Sequence, residues 1–202
     1  MSSENRAATS LGRNYPGGSE QFIADMNRKA KQLGMVHSQF ADPAGLDAHN
    51  VSTASDLAKM INAAEDYALI AEATTTRKME VRPFSSRGPL TYGNTNRLLK
   101  NKNWDIELSK TGYINEAGRC LVMQANIEGE EVSIVLLNSF GKLTPFGDSN
   151  RLRKWMLAGV TIQDPLSKRF PLPCKVQKSI SHPCQSGFVG REFLYGFELL
   201  QN

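Results

Sequence analysis

The 202-residue sequence is poor in cysteine, and it has no long apolar run. Its three cysteines, Cys120, Cys174 and Cys184, are too few and too irregularly spaced for a disulfide scaffold or a zinc site. The three histidines have no partners at metal-ligand spacing, so we expect neither a metal nor another cofactor. Apolar runs end after a few residues, as from Ile134 to Leu137, which predicts that no segment spans a membrane.

The formal net charge is +4, but the basic residues are scattered along the sequence. The densest basic group, Arg151, Arg153 and Lys154, has no aromatic residues interleaved with it on which bases could stack. We therefore interpret this group as a solvated helix face and expect no nucleic-acid partner. With 40% hydrophobic and 22% charged residues, the composition is typical of a globular domain with a core.

Helical periodicity dominates the first third of the chain. One helix is predicted from Ser19, as N-cap, to a stop at Gly34, and a second from Thr53, where Asp56 completes the spacing of a capping box. The segment 42–46 between them is typical of a turn. The predicted inward faces consist of Phe22, Ile23, Met26, Ala30 and Leu33 in the first helix, and of Leu57, Met60, Ile61 and Ala64 in the second.

Strand patterns follow after residue 75. Met79 and Val81 alternate with polar residues, and the alternation from Trp104 to Leu108 predicts a half-buried strand that runs into Lys110-Thr111-Gly112. The segments 119–127 and 132–138 form a predicted hairpin.

A last helix is predicted over 148–158, with Leu152, Trp155 and Met156 inward and Gly159 closing it. The order of elements predicts an α+β fold, with helices first and then an antiparallel sheet covered by a helix. We assign 1–159 to one domain and 160–202, where periodicity fades, to an extension of uncertain order.

Two tripeptides combine residue types that carry chemistry. Ser3-Glu4-Asn5 offers a hydroxyl and an amide two residues apart, and Lys110-Thr111-Gly112 offers a cation and a hydroxyl that can hold a carboxylate. Each alone is better explained by ordinary structure, the first as a helix cap and the second as a turn.

The surrounding sequence decides between these interpretations, because it resembles the D-alanyl-D-alanine carboxypeptidase and endopeptidase family of low-molecular-mass penicillin-binding proteins, in particular the penicillin-binding protein 7 type. The resemblance spans residues 1 to about 157. The matching stretches are MSSENRAA at 1–8, YPGG at 15–18, FIADMNRKAKQLGM at 22–35, DPAGL at 42–46, HNVSTASDL at 49–57, NTNRLL at 94–99 and KTGYINEAGRCLVM at 110–123.

The resemblance implies the penicillin-binding transpeptidase fold, which β-lactamases share, and a periplasmic serine peptidase acting on peptidoglycan stem peptides. It implies that Ser3 helps to move a proton between nucleophile and leaving amine and that Asn5 binds the substrate peptide. Lys110, Thr111 and Gly112 would bind the acyl and carboxylate end of the substrate, as they would bind a β-lactam.

The sequence departs from the family in its nucleophile. The family's Ser-x-x-Lys precedes Ser-x-Asn, so we expect the N-terminal strands and the nucleophile helix to be missing here. The single Ser-x-x-Lys string, from Ser139 to Lys142, is predicted to lie at a strand end, and we interpret it as coincidental. Ser3 has no lysine three residues later, and Arg6 cannot act as a base. Two hypotheses remain, a serine D-alanyl-D-alanine peptidase seen in part and a non-catalytic peptidoglycan-binding module.

Overall fold

The structure, a computed structural model, describes residues 1–159. The predicted extension 160–202, and with it Cys174 and Cys184, lies outside the described residues. The helices are α1 Asn5–Arg13, α2 Gly18–Gln32, α3 Ala54–Ala64, α4 Ala68–Thr75 and α5 Thr144–Leu157, with a 3-10 helix at Arg97–Lys100. The strands are β1 Lys78–Val81, β2 Leu90–Gly93, β3 Asp105–Ile114, β4 Gly118–Ile127 and β5 Glu130–Ser139. This order confirms the predicted α+β class.

The central sheet is antiparallel, with the strand order β3-β4-β5. The hairpin between β4 and β5 turns at Glu128 and Gly129, whose φ angles of 55° and 87° are both left-handed, as a two-residue hairpin turn requires. This confirms the predicted hairpin. Strands β1 and β2 pair separately in a two-stranded sheet.

The central sheet is buried on both faces by helices. One face packs against α5, and its buried core contains Trp104, Leu121 and Met123. The other face packs Leu108, Val122 and Val135 against α3. Successive residues of β4 therefore contribute to the cores on opposite faces of the sheet, because side chains alternate between the two faces along a strand. The sheet is therefore a stable platform for side chains at its strand ends.

The helix boundaries correct one prediction and confirm another. Helix α2 begins at Gly18 after Gly17, whose φ of 85° favours glycine, so Ser19 is not its N-cap. Thr53 does cap α3, because its side chain accepts a hydrogen bond from the Asp56 N–H at 3.2 Å. The Asp56 carboxylate binds elsewhere, accepting from the His37 N–H and the Ser38 hydroxyl.

Helix α5 begins four residues before the predicted 148–158 segment, at Thr144, and Pro145 lies in its first turn. Leu152 and Met156 pack against the core as predicted. Trp155 does not, since its side chain is 38% exposed. The inward face is set by residues three or four positions apart, including buried Pro145 and Ser149, and Trp155 falls at its margin.

No helix within residues 1–159 is both long enough and apolar enough to cross a membrane. The sequence did not predict α1 or α4. The first is short and has few apolar residues, and the second is an eight-residue helix without a buried side chain.

Candidate active site

The two predicted tripeptides meet in space. Lys110, on β3, and Ser3, just before α1, are 107 positions apart in the chain, yet the Lys110 ammonium Nζ donates a hydrogen bond to Ser3 Oγ at 2.5 Å. The fold therefore unites the hydroxyl of one motif with the cation of the other. The sequence suggests Arg6 as the nearest basic neighbour of Ser3, and the structure corrects this, because Lys110 contacts the Ser3 hydroxyl directly.

Ser3 is held in an unusual backbone conformation. Its φ angle of 57° lies in the left-handed region, where a non-glycine residue is uncommon. The next residue, Glu4, is the N-cap of α1, and its carboxylate accepts from the Arg6 N–H at 3.1 Å. The helix-cap interpretation of this tripeptide is thus also correct, because the cap fixes the bend that presents Ser3 to Lys110. Strain of this kind is common at functional sites.

Lys110 is a cation without a counter-ion. Its ammonium donates to Ser3 Oγ and also to the Thr111 carbonyl at 2.5 Å, and it forms no ion pair within residues 1–159. Although part of the side chain is exposed, loss of hydration around the ammonium lowers the pKa of Lys110 below its ordinary value. A carboxylate at this point would restore the balance of charge.

Thr111 leads to a residue that the sequence analysis missed, Thr95. The Thr111 hydroxyl donates to Thr95 Oγ1 at 2.6 Å, and the Thr95 N–H and hydroxyl both reach the Met1 carbonyl, at 3.3 and 3.4 Å. Thr95 thereby joins the strand that carries Lys110 to the segment that carries Ser3. Its membership in the NTNRLL stretch was the available signal.

Asn94 holds Thr95 in place. The Asn94 amide Nδ2 donates to the carbonyls of Thr74 and Thr76 at 2.8 and 3.0 Å, and its Oδ1 accepts from the Asn96 N–H at 2.9 Å. The segment is therefore tied to the C-terminal end of α4. This explains why polar residues occupy it.

Gly112 and Asn5 complete the predicted set. A Cβ on Gly112 would come no closer than 3.9 Å to Cys120 Cβ, so packing does not demand glycine there. Strand β3 has a strand neighbour on one side only within the described residues, which leaves room for an extended ligand. Asn5 is the first residue of α1 and is exposed, and its side-chain amide has no hydrogen-bond partner within residues 1–159. Both positions are therefore open to a ligand.

The Ser-x-x-Lys string is not helical. Ser139 is the last residue of β5, and Lys142 lies in the turn before α5. Phe140 between them is fully exposed. The serine and lysine therefore do not share a helix face, as a Ser-x-x-Lys nucleophile requires.

The basic group on α5 is largely engaged locally. Arg151 forms an ion pair with Asp148, and the Arg153 guanidinium lies 5.9 Å from the centroid of the Trp104 ring. These contacts agree with the interpretation of a helix face.

Known proteins match this chain over most of its length. The sequence model of the D-alanyl-D-alanine carboxypeptidase family matches residues 1–141. A D-alanyl-D-alanine endopeptidase of Pseudomonas aeruginosa is 44% identical over 184 residues, which cover 91% of this chain and 59% of the relative. A D-alanyl-D-alanine endopeptidase of Escherichia coli is 48% identical over 166 residues, which cover 82% of this chain and 53% of the relative.

The fold also matches solved structures. A penicillin-binding protein of Listeria monocytogenes in its cefotaxime-bound form is 28% identical, with a TM-score of 0.64 over 75% of this chain and 60% of that one. The chain spans between half and three-fifths of the length of these relatives. It belongs to the D-alanyl-D-alanine carboxypeptidase family and has the penicillin-binding transpeptidase fold.

Proposed function

We propose that Ser3, Asn5, Lys110, Thr111 and Gly112 form the substrate-holding part of the active site of a serine D-alanyl-D-alanine peptidase. The enzyme would act on peptidoglycan stem peptides through an acyl-enzyme, and β-lactams would bind at the same place. The single observation that carries this proposal is the 2.5 Å hydrogen bond from Lys110 Nζ to Ser3 Oγ, which unites two family motifs.

The chemistry of Lys110 suits a substrate that ends in a carboxylate. A partly desolvated ammonium binds an anion more strongly than a fully hydrated one, because less water has to be displaced and screening is weaker. The Thr111 hydroxyl lies next along the strand, and Gly112 adds no side chain that would obstruct a peptide. We infer that these three residues bind the substrate's carboxylate and acyl end.

Ser3 has a different role in this proposal. It accepts a hydrogen bond from Lys110, so its own hydroxyl proton is free to point toward a reacting group. We infer that Ser3 relays a proton to the leaving amine while Asn5 binds the peptide. Such a relay contributes only in the transition state.

Cleavage of cross-links between stem peptides is the preferred reaction, since the relatives from P. aeruginosa and E. coli are both named endopeptidases. Peptidoglycan as the substrate implies a periplasmic location. The nucleophile is not Ser139, because its string lacks the helical geometry. A second candidate function, peptidoglycan binding without cleavage, is favoured by the fact that Lys110 and its partners are assembled within residues 1–159 alone.

The binding test uses the 202-residue chain and a stem peptide that ends in D-Ala-D-Ala, followed by NMR titration. We expect shifts at Lys110 and Thr111 with this peptide and none with its L-Ala-L-Ala isomer. Lys110→Ala should weaken binding by about 1.5–3 kcal/mol, while Lys102→Ala, an exposed lysine before β3, should leave it unchanged. Equal binding by the two variants would contradict the proposed site.

The cleavage test uses a chimera, in which the part of the P. aeruginosa relative that this chain does not cover precedes residue 1. We expect the chimera to cleave cross-linked stem-peptide dimers and Lys110→Ala to impair it. A chimera that folds and is acylated by penicillin but cleaves neither dimers nor D-Ala-D-Ala peptides would favour the binding module.

A further inference from the structure

Three glutamates, which we call the glutamate cluster, approach one another away from the proposed active site. Glu65 caps the C-terminal end of α3, Glu107 lies in β3, and Glu131 lies in β5. One carboxylate oxygen of each lies within 4.8 Å of the others. A cavity of about 170 Å³ is lined by Glu65 and Glu107, together with Ala71 and Leu108.

The tertiary fold, not the sequence, brings these residues together. The pairing of β3 with β4 shifts register between Ile106 and Leu108, and Glu107 lies at this bulge. The C-terminal part of α3 is attached to β5, because the Ser133 hydroxyl lies 2.9 Å from Asn62 Oδ1. The expectation of no metal considered only cysteine and histidine and did not cover this arrangement.

The cluster carries negative charge that is not compensated. No lysine or arginine forms an ion pair with these glutamates within residues 1–159. Asp66 and Asp105 add further negative charge nearby, and the C-terminal end of α3 adds a partial one. Burial, followed by the hydrogen bond and charge of Glu131, raises the pKa of Glu65 to about 7.

A second observation points to a ligand. Gln124 is 2% exposed, and its amide Nε2 reaches the Glu131 carboxylate, so the side chain is directed into the cluster. The carbonyl oxygen Oε1 of the same amide is buried and has no hydrogen-bond partner within residues 1–159. Buried carbonyl oxygens are rarely left without a partner. A cation bound at the cluster could serve as the missing partner of this oxygen, because a cation accepts oxygen ligands without needing a proton.

We propose that one divalent cation that prefers oxygen ligands binds to Glu65, Glu107 and Glu131, and that Gln124 supports these ligands. Ca²⁺ fits this site best. The donor set contains only oxygens and comes from three separate elements that remain accessible to water, which suits the flexible coordination of Ca²⁺. The 4.8 Å limit on oxygen separations equals about twice a Ca–O distance of roughly 2.4 Å. The cation links the end of α3 to β3 and β5 and replaces the proton that Glu65 and Glu131 otherwise share.

The test uses the 202-residue chain, freed of metal with a chelator, and calorimetric titration with CaCl₂ at about pH 8, above the Glu65 pKa of about 7. We expect one ion per chain with a Kd on the order of 10⁻⁴–10⁻³ M, protons released on binding at lower pH, and a higher Tm with the ion. Mn²⁺, followed by water-proton relaxation, serves as a second probe. This experiment does not depend on peptidase activity, so the cation site and the proposed peptidase function can be disproved independently.

Variants define the site. Glu107→Gln with Glu131→Gln should lower Ca²⁺ affinity at least about tenfold, and Gln124→Met should lower it by a smaller factor. Glu116→Gln, an exposed acid in the turn after β3, is the control and should bind like the parent. Because the double variant removes like-charge repulsion, it should melt in chelator at or above the parent's Tm, so loss of binding is not loss of folding. No saturable binding at about 10 mM Ca²⁺, or binding that the double variant retains, would overturn the proposal and leave a shared proton as the occupant.

Discussion

The site around Lys110 and the glutamate cluster both hold charge of one sign with no counter-ion in the described part of the chain, and the signs are opposite. In the first, desolvation lowers the pKa of Lys110. In the second, burial and neighbouring carboxylates raise the pKa of Glu65 and Glu107. Strand β3 contributes to both, through Lys110 and Glu107. An uncompensated charge is costly in a stable fold, so each region is better explained by a ligand of opposite sign than by packing.

The largest expected effect concerns covalent binding of penicillin at the Lys110 site, which should be completely absent. The 202-residue chain should form no covalent adduct with penicillin, because a charged Lys110 donates a hydrogen bond to Ser3 Oγ and cannot remove its proton. Ser139 lies at a strand end without the required geometry. To look for an adduct, the chain is incubated with a fluorescent penicillin, denatured, and examined by gel imaging and intact mass. The chimera serves as the positive control. A stable adduct mapped to Ser3 or Ser139 would overturn our assignment of roles.

A second prediction separates catalysis from binding at the same site. In the chimera, Ser3→Ala should lower kcat by about 10²–10⁴-fold with KM little changed, because a proton relay acts only as the bond breaks. Ser55→Ala, an exposed serine on α3, is the matched control. Steady-state cleavage of a stem-peptide dimer measures both constants. An unchanged kcat with a raised KM would make Ser3 a binding residue.

A third, smaller effect concerns the link between the two motifs. Thr95→Val removes the hydroxyl that accepts from Thr111 and should weaken D-Ala-D-Ala peptide binding by about 1 kcal/mol, roughly fivefold. Thr95→Ser should restore binding, since it keeps the oxygen. Thr91→Val, an exposed threonine in β2, serves as the control in the same NMR titration. Failure of serine to restore binding would indicate that Thr95 acts through packing instead.

Thr95 also illustrates what can and what cannot be predicted from the sequence. Local patterns predicted the cap at Thr53, the hairpin turn at Glu128 and the strand into Lys110, because each depends on residues close in the chain. The family resemblance assigned Ser3 and Lys110 to one active site, but the hydrogen bond between them is seen only in the structure. Contacts such as Thr95 with Thr111 form only when distant segments are packed together, and no periodicity encodes them.

The same limit explains the errors. Helix α1 has too few apolar residues to give a helical pattern, and its start is fixed by the Glu4 cap. The helical pattern predicts that Trp155 lies inward with Leu152 and Met156, but its helical position is at the edge of the buried face. The glutamate cluster joins residues from a helix end, a strand bulge and a hairpin strand. In the sequence alone, acidic residues so far apart along the chain cannot be distinguished from ordinary surface residues.

The smallest predicted effect tests the opposite charge in the glutamate cluster. The pKa of Glu65 is about 7 in the folded chain and near 4.5 when unfolded, so between these values the folded state binds a proton that the unfolded state does not. The stability that this proton contributes is fully present below about pH 4.5 and is lost as the pH rises through about 7. Glu65→Gln resembles the protonated form at every pH. In chelator, it should therefore match the parent at low pH and melt higher above pH 7, on the order of 1–3 °C, as thermal unfolding followed by circular dichroism measures. Glu116→Gln should show no such pH dependence. Saturating Ca²⁺ should reverse the order, because only the parent keeps all three carboxylates. A variant that melts below the parent in chelator at high pH would mean that Glu65 is stabilised as an anion, and the two regions would then not be electrostatic opposites.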